Sequence, residues 1–191
     1  MANGIVILLN GTSSSGKSSL AKVLQRVLER PYLHIDGDYF WQMFPRTDFE
    51  DKPDEEYRPW RSQFLPACYR SIATMVTEGI NVIIDEVLTK PMTLTWLQEA
   101  LARHEVVFVG LTCGVEELER RERERGNRSI GLARFQYPNI HIHGAYDIVV
   151  DTEMNDATHC ALQIKEVVEN GRAFTNFHQA VEQPLLDFKP S

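Results

Sequence analysis

Lys17 and Ser18 close the stretch Gly11-Thr-Ser-Ser-Ser-Gly16-Lys17-Ser18, which satisfies the pattern G-x-x-x-x-G-K-S/T at every defined position. Small residues let a backbone curl until successive N–H groups point inward, and a helix beginning at the lysine adds the positive end of its dipole. The product is a nest for a polyphosphate. Amides and hydroxyls of Gly11, Thr12, Ser13, Ser14, Ser15, Gly16 and Ser19 surround the anion, Lys17 bridges its β- and γ-phosphates, and the Ser18 hydroxyl takes one position around Mg²⁺. The expected ligand is ATP with Mg²⁺. A Gly/Ser-rich turn with an incidental lysine would not need the strand before it and the amphipathic helix after it.

Three further groups could turn binding into transfer. Val82-Ile-Ile-Asp85-Glu86 is an apolar run ending in two carboxylates, and Asp85 is the candidate partner of the metal or its waters; the alternative is that both acids simply end a strand and cap a helix. In His34-Ile-Asp36-Gly-Asp38, Asp38 is the candidate general base for an attacking hydroxyl, with Asp36 as a helix cap or substrate contact. Arg121 and Arg125 stand four apart on one helical face, and Arg128 follows Gly126, a residue that ends helices. A lid over about 121–135 would bring these arginines onto the transferring charge, whereas Arg120 and Arg123 read as members of solvated Glu/Arg pairs.

The elements that must position these groups are visible as apolar runs. Ile5–Leu9, Asn81–Asp85, Glu105–Leu111 and Asp147–Asp151 are short, branched and not alternating, the pattern of strands buried on both faces; Tyr32–Ile35 is a weaker fifth. Between them run segments of helical spacing, the clearest being Leu20, Val23, Leu24, Val27 and Leu28, stopped by Pro31. Leu65–Val76, Met92–Ala102, Glu116–Arg125 and Ala157–Val168 complete the series. Alternation of strand and helix predicts an α/β fold, a three-layer α/β/α arrangement around a parallel sheet.

With 191 residues and no internal repeat, a single domain is expected. Within it, residues 39–62 form a substrate-side insertion whose polar, proline-bearing part from 45 to 62 reads as a long loop. Its Trp41, Phe44, Phe49, Tyr57 and Trp60 either line an apolar pocket or belong to the core, and its Asp48, Glu50, Asp51, Asp54, Glu55 and Glu56 would repel an anionic acceptor. The tail 171–191 places Phe174, Phe177, Val181, Leu185 and Phe188 at helical spacing around Pro184, which predicts a terminal helix packed on the body or on a second subunit.

A formal charge of −7 offers no broad attraction to nucleic acid or anionic lipid, so any bound anion must be held locally. Cys68, Cys113 and Cys160 lack paired spacing and read as buried thiols of a reducing compartment. No run is long enough for a membrane span or shaped like a signal peptide, and the expected location is cytoplasmic.

In order, GTSSSGKSS, HIDGDYF, VIIDEV, ERGNRSIGLA and HIHGAYDIVVDT resemble the chloramphenicol phosphotransferase-like family of P-loop kinases over roughly residues 4 to 168. The resemblance implies a five-stranded parallel sheet and transfer of the ATP γ-phosphoryl group to a hydroxyl of a small molecule, with antibiotic inactivation as one role. It places Asp38 on the family's general base, Lys17 and Ser18 on its phosphate and metal positions, and Arg128 on a lid arginine. His141 matches a histidine before the last strand and reads as a structural hydrogen-bonding residue. Residues 41–60 and the tail depart from the family pattern, so the acceptor stays open: a sugar or nucleotide sugar is the alternative. A non-catalytic nucleotide module is the remaining rival, and the Asn/Thr-Lys-x-Asp element of a guanine switch is absent.

Overall fold

The computed structural model describes residues 2–43, 54–125, 130–170 and 174–180, with the side chains of residues 41, 54–58 and 61 left aside. Five parallel strands, β1 (Ile5–Asn10), β2 (Tyr32–Asp36), β3 (Asn81–Glu86), β4 (Glu105–Thr112) and β5 (Ile148–Asp151), form one sheet in the order β2-β3-β1-β4-β5. Two neighbours flank β1, so Leu8 lies between Ile84 and Phe108, and its loop leaves from the middle of the sheet. This reversal of strand order is where open α/β sheets make their ligand crevices.

The non-alternating apolar runs follow from two cores. Val6, Leu8, Ile84, Val106 and Phe108 face α3 (Asp54–Thr77) and α4 (Pro91–Ala100), while Ile7, Leu9, Ile83, Val107 and Val109 face α1 (Lys17–Val27) and α7 (Ala157–Glu169). Successive side chains of a strand point to opposite faces, and here each face is covered, so every position must be apolar. The stripe read on α1 is the buried one: Leu20, Ala21 and Leu24 lie inside it and Leu28 at its end.

Two expectations change. Residues 54–62 are not loop but the first turns of α3, which runs through Pro59 and Pro66. Leu65, Tyr69, Ile72 and Val76 are buried at spacings of four, three and four, and once that stripe anchors the helix, upstream turns extend it cheaply although each proline deletes one backbone hydrogen bond. Trp60 is 55% exposed on those turns and is not among the residues lining the cavity described below. Phe44 and Phe49, the acids 48–51 and the side chains of Trp41, Asp54, Glu55, Glu56 and Tyr57 lie outside the described residues.

The tail is the second change. Its described helix, α8 (Asn176–Gln179), is a single turn that passes into extended backbone at Ala180. Phe177 packs edge-on against Phe108, Phe174 joins the opposite core, and Gln98 Nε2 donates to Phe177 O at 2.7 Å and Ala180 O at 2.8 Å. Val181, Leu185 and Phe188 lie outside the described residues. All three cysteines are buried and free, as expected, and no helix among the described residues is long and apolar enough to cross a membrane.

Candidate active site

The chain leaves β1 through Asn10 and turns over Gly11 to Gly16 before α1 begins at Lys17. Ser14 has φ 63° and Gly16 φ 90°, left-handed positions of the kind that shape anion-binding loops; Gly16 is the helix N-cap and offers no side chain of its own. Gly11, Thr12, Ser13 and Ser15 are buried, and Ser19 lies exposed at the rim. The Oγ atoms of Ser13, Ser14 and Ser15 are buried without a hydrogen-bond partner among the described residues. Buried hydroxyls are normally paired, so three orphans in one loop suit a ligand with many acceptor oxygens.

Lys17 is 8% exposed; its Nζ donates to Gly11 O and Thr12 O at 2.9 Å each and stands 3.7 Å from Asp85 Oδ1. Ser18 Oγ donates to Asp85 Oδ2 at 2.7 Å. The strand register explains the meeting: Asp85 is the penultimate residue of β3, beside Leu9 of β1 on one side and Asp36 of β2 on the other. Burial alone would raise the Asp85 carboxyl, but His34, Lys17 and Ser18 together hold it below its usual value. His34 Nε2, 3.6 Å from Asp85 Oδ2, is a neighbour that sequence reasoning left without a role. Ser18 and Asp85 thus present two oxygens side by side, a donor set that fits Mg²⁺, while no cluster of three or more metal-binding side chains exists among the described residues.

Asp36 ends β2 and caps α2 (Gly37–Trp41): its Oδ1 accepts from Asp38 N at 2.9 Å. Burial raises the Asp36 carboxyl. Asp38 stands in the first turn of α2, exposed, and faces the same cavity as Lys17, Ser18 and Asp85. That cavity has a volume of about 1050 Å³. Its far wall is Leu65 and Tyr69 of α3, Glu86 and Val87 at the end of β3, and Thr93 of α4.

Arg121 and Arg125 of α5 (Val115–Arg125) both line the cavity, as their spacing predicts. Arg121 is anchored by Nε to Glu117 Oε1 and Nη2 to Thr152 O, each at 2.7 Å, which leaves its Nη1 about 4 Å from the Cβ position of Gly16. Arg120 instead pairs with Glu117 and Glu124 on the exposed face. Arg128 lies outside the described residues.

Several residues that sequence reasoning passed over build the frame. Glu122, buried in α5, accepts from Gly131 N at 2.9 Å and Ala133 N at 2.7 Å and so fixes α6 (Leu132–Gln136). From α6, Gln136 Oε1 accepts from Ser13 N at 2.7 Å. Asn10 is fully buried: Nδ2 donates to Ile140 O and to the Tyr146 hydroxyl at 2.7 Å each, and Oδ1 accepts from Leu88 N at 2.9 Å. His143 donates to Leu88 O, and His141 Nδ1 lies 2.8 Å from the Tyr146 hydroxyl, so His141 is indeed a structural residue. Burial lowers its pKa to about 4. The signal for Asn10 was a polar residue ending an apolar run, but its partners are up to 136 positions away.

A phosphate-loop crossing from the central strand, with a Ser/Asp pair behind it and an acidic wall opposite, defines a P-loop phosphotransferase of the kinase type. The chain belongs to the chloramphenicol phosphotransferase-like protein family, which it matches over residues 4–169. It is 32% identical to a Mycobacterium tuberculosis protein named "Putative O-phosphotransferase Rv2636", across 87% of this chain and 83% of that one. Among solved structures, the Mycobacterium tuberculosis APS kinase CysC with AMPPNP and APS superposes with a TM-score of 0.66 at 16% identity, covering 88% of this chain and 99% of that chain. A gluconokinase from Sinorhizobium meliloti gives 0.59 at 19%, covering 89% and 98%. The protein is accordingly an enzyme that moves a phosphoryl group to a hydroxyl of a small molecule.

Proposed function

We propose that Asp38 is the general base of this transfer, that Lys17 and the loop amides hold the β- and γ-phosphates, and that Ser18 and Asp85 hold Mg²⁺. The observation that carries the reading is that one cavity is lined both by the phosphate loop and by Asp38. An acceptor hydroxyl beside Asp38 gives its proton to the carboxylate as its oxygen bonds to the γ-phosphorus. The bond from that phosphorus to the β–γ bridging oxygen breaks, and ADP leaves with the electron pair. Mg²⁺, when bound, supplies charge neutralisation at the phosphate oxygens. Arg121, with its plane set by Glu117 and Thr152, and Arg125 at the rim compensate charge on the transferring group, and Arg128 is assigned to the same task from its place in the sequence.

Most of the rate gain comes from position and charge rather than covalent chemistry. The acceptor is an alcohol small enough for the space between Asp38 and the Leu65–Tyr69 wall; antibiotics with a free hydroxyl and sugars both meet that condition. The test is Asp38→Asn. It should bind ATP as the parent does and lose transfer by about 10²–10⁴-fold across a panel of alcohols followed by ADP release. An undiminished rate removes Asp38 from the role.

A further inference from the structure

Glu86 is a carboxylate of the cavity's acceptor side that neither the phosphate loop nor the base accounts for. It ends β3 one position beyond Asp85, and its side chain lies beneath Gly37, the residue before Asp38. A Cβ on Gly37 would stand 2.7 Å from Glu86 Oε1 and 3.0 Å from Oε2, so both oxygens come up against the turn that presents the base. The two oxygens are not equivalent. Oε1 accepts from the Tyr69 hydroxyl at 2.9 Å, which fixes the carboxyl plane; among the described residues Oε2 has only the amide of Val87 at 3.4 Å, at the edge of hydrogen-bond range. Tyr69 and Glu86 both line the cavity.

A carboxylate oxygen accepts two hydrogen bonds, and a largely buried one with a single long contact has capacity left for a donor that enters the cavity. We propose that Glu86, oriented by Tyr69, binds the acceptor through a second hydrogen-bond donor, a hydroxyl or an ammonium, adjacent to the hydroxyl that is phosphorylated. The inference rests on the phosphotransferase reading and names the class of its acceptor: a vicinal diol or amino alcohol. Both groups line the same cavity, and the glycine whose Cβ position lies against Glu86 immediately precedes Asp38, which favours a donor close to the reacting hydroxyl. An acceptor with a carboxylate in that position would meet the acidic side chains of Asp36, Asp38 and Glu86 instead.

One scaffold tests it. ADP release is measured with cyclohexanol, the cis vicinal cyclohexanediol, vicinal aminocyclohexanol and vicinal hydroxycyclohexane carboxylate, in the full chain and in Glu86→Gln. The diol and the amino alcohol should exceed cyclohexanol by at least about tenfold in kcat/KM, with the carboxylate lowest, because a site built to pair a donor rejects the analogue that lacks it. Glu86→Gln is isosteric but turns a donor toward the ligand. It should raise KM for the diol by about tenfold and erase the preference over cyclohexanol, with KM for ATP and the melting temperature little changed. Tyr69→Phe should shift the diol KM the same way by a smaller factor. Equal turnover of cyclohexanol and diol, or an unaltered diol KM in Glu86→Gln, overturns the inference and leaves the phosphotransferase standing. ATP binding without ADP release to any alcohol of this or the broader panel overturns both.

Discussion

The two walls of the cavity reach their chemistry by different routes. The phosphate wall is made mainly of backbone: a loop with two left-handed residues, the start of α1, and a lysine already tied to two carbonyls of that loop. The acceptor wall is made of side chains from β2, β3, α3 and α4 that meet only in the folded protein. Backbone recognition tolerates little variation in sequence and therefore leaves a regular motif. Side-chain recognition can be assembled from many combinations, and no comparable motif marks it.

The contrast can be broken in order of expected size. Lys17→Ala should cost the most, a fall in transfer of at least about 10³-fold with weakened nucleotide binding, because the charge on the transferring group loses its fixed partner. Retained transfer would mean that loop amides alone suffice. Gly37→Ala should act on the other wall. The added Cβ collides with Glu86, so transfer should fall about 10- to 100-fold through the acceptor while ATP affinity stays within about twofold. A matching loss of ATP affinity would show that the walls are not separable.

The smallest effect concerns what holds the phosphate wall in place. Asn10, immediately before the loop, is tied through Tyr146 to His141, whose pKa burial pulls down to about 4. Between that value and the unfolded one near 6.5 the unfolded chain binds the extra proton. Stability contributed by neutral His141 is therefore complete above about pH 6.5 and is lost as pH falls toward 4, up to roughly 3 kcal/mol at about 1.4 kcal/mol per unit. Melting temperatures measured from pH 7 to 4 should fall less steeply in His141→Gln. An identical slope would assign the acid sensitivity elsewhere.

The same division governs how much could be read from the chain. Five strands, α1, α5 and the nucleotide loop were legible because each is encoded locally, by periodicity or by a motif within eight residues. Asp85 was legible as a carboxylate at a strand end, and its contact with Ser18 at 2.7 Å follows from parallel neighbours β1 and β3. The first turns of α3 were read as loop because prolines and acids there have no apolar stripe of their own; the stripe that anchors them begins at Leu65. Gln136, reaching Ser13 across 123 positions, and Glu122, capping α6 from inside α5, carried no local mark at all.

By itself the amino-acid sequence determined the phosphate-loop motif and the lysine and hydroxyl proposed to serve the nucleotide, since these are neighbours along the chain and need only a strand, a turn and a helix in succession. Only the tertiary structure decided that Glu86 lies under Gly37, that Tyr69 holds it, and that Asn10 ties the loop to the segment before β5. These contacts join elements dozens of positions apart, and their geometry exists only once two helical layers have closed on the sheet.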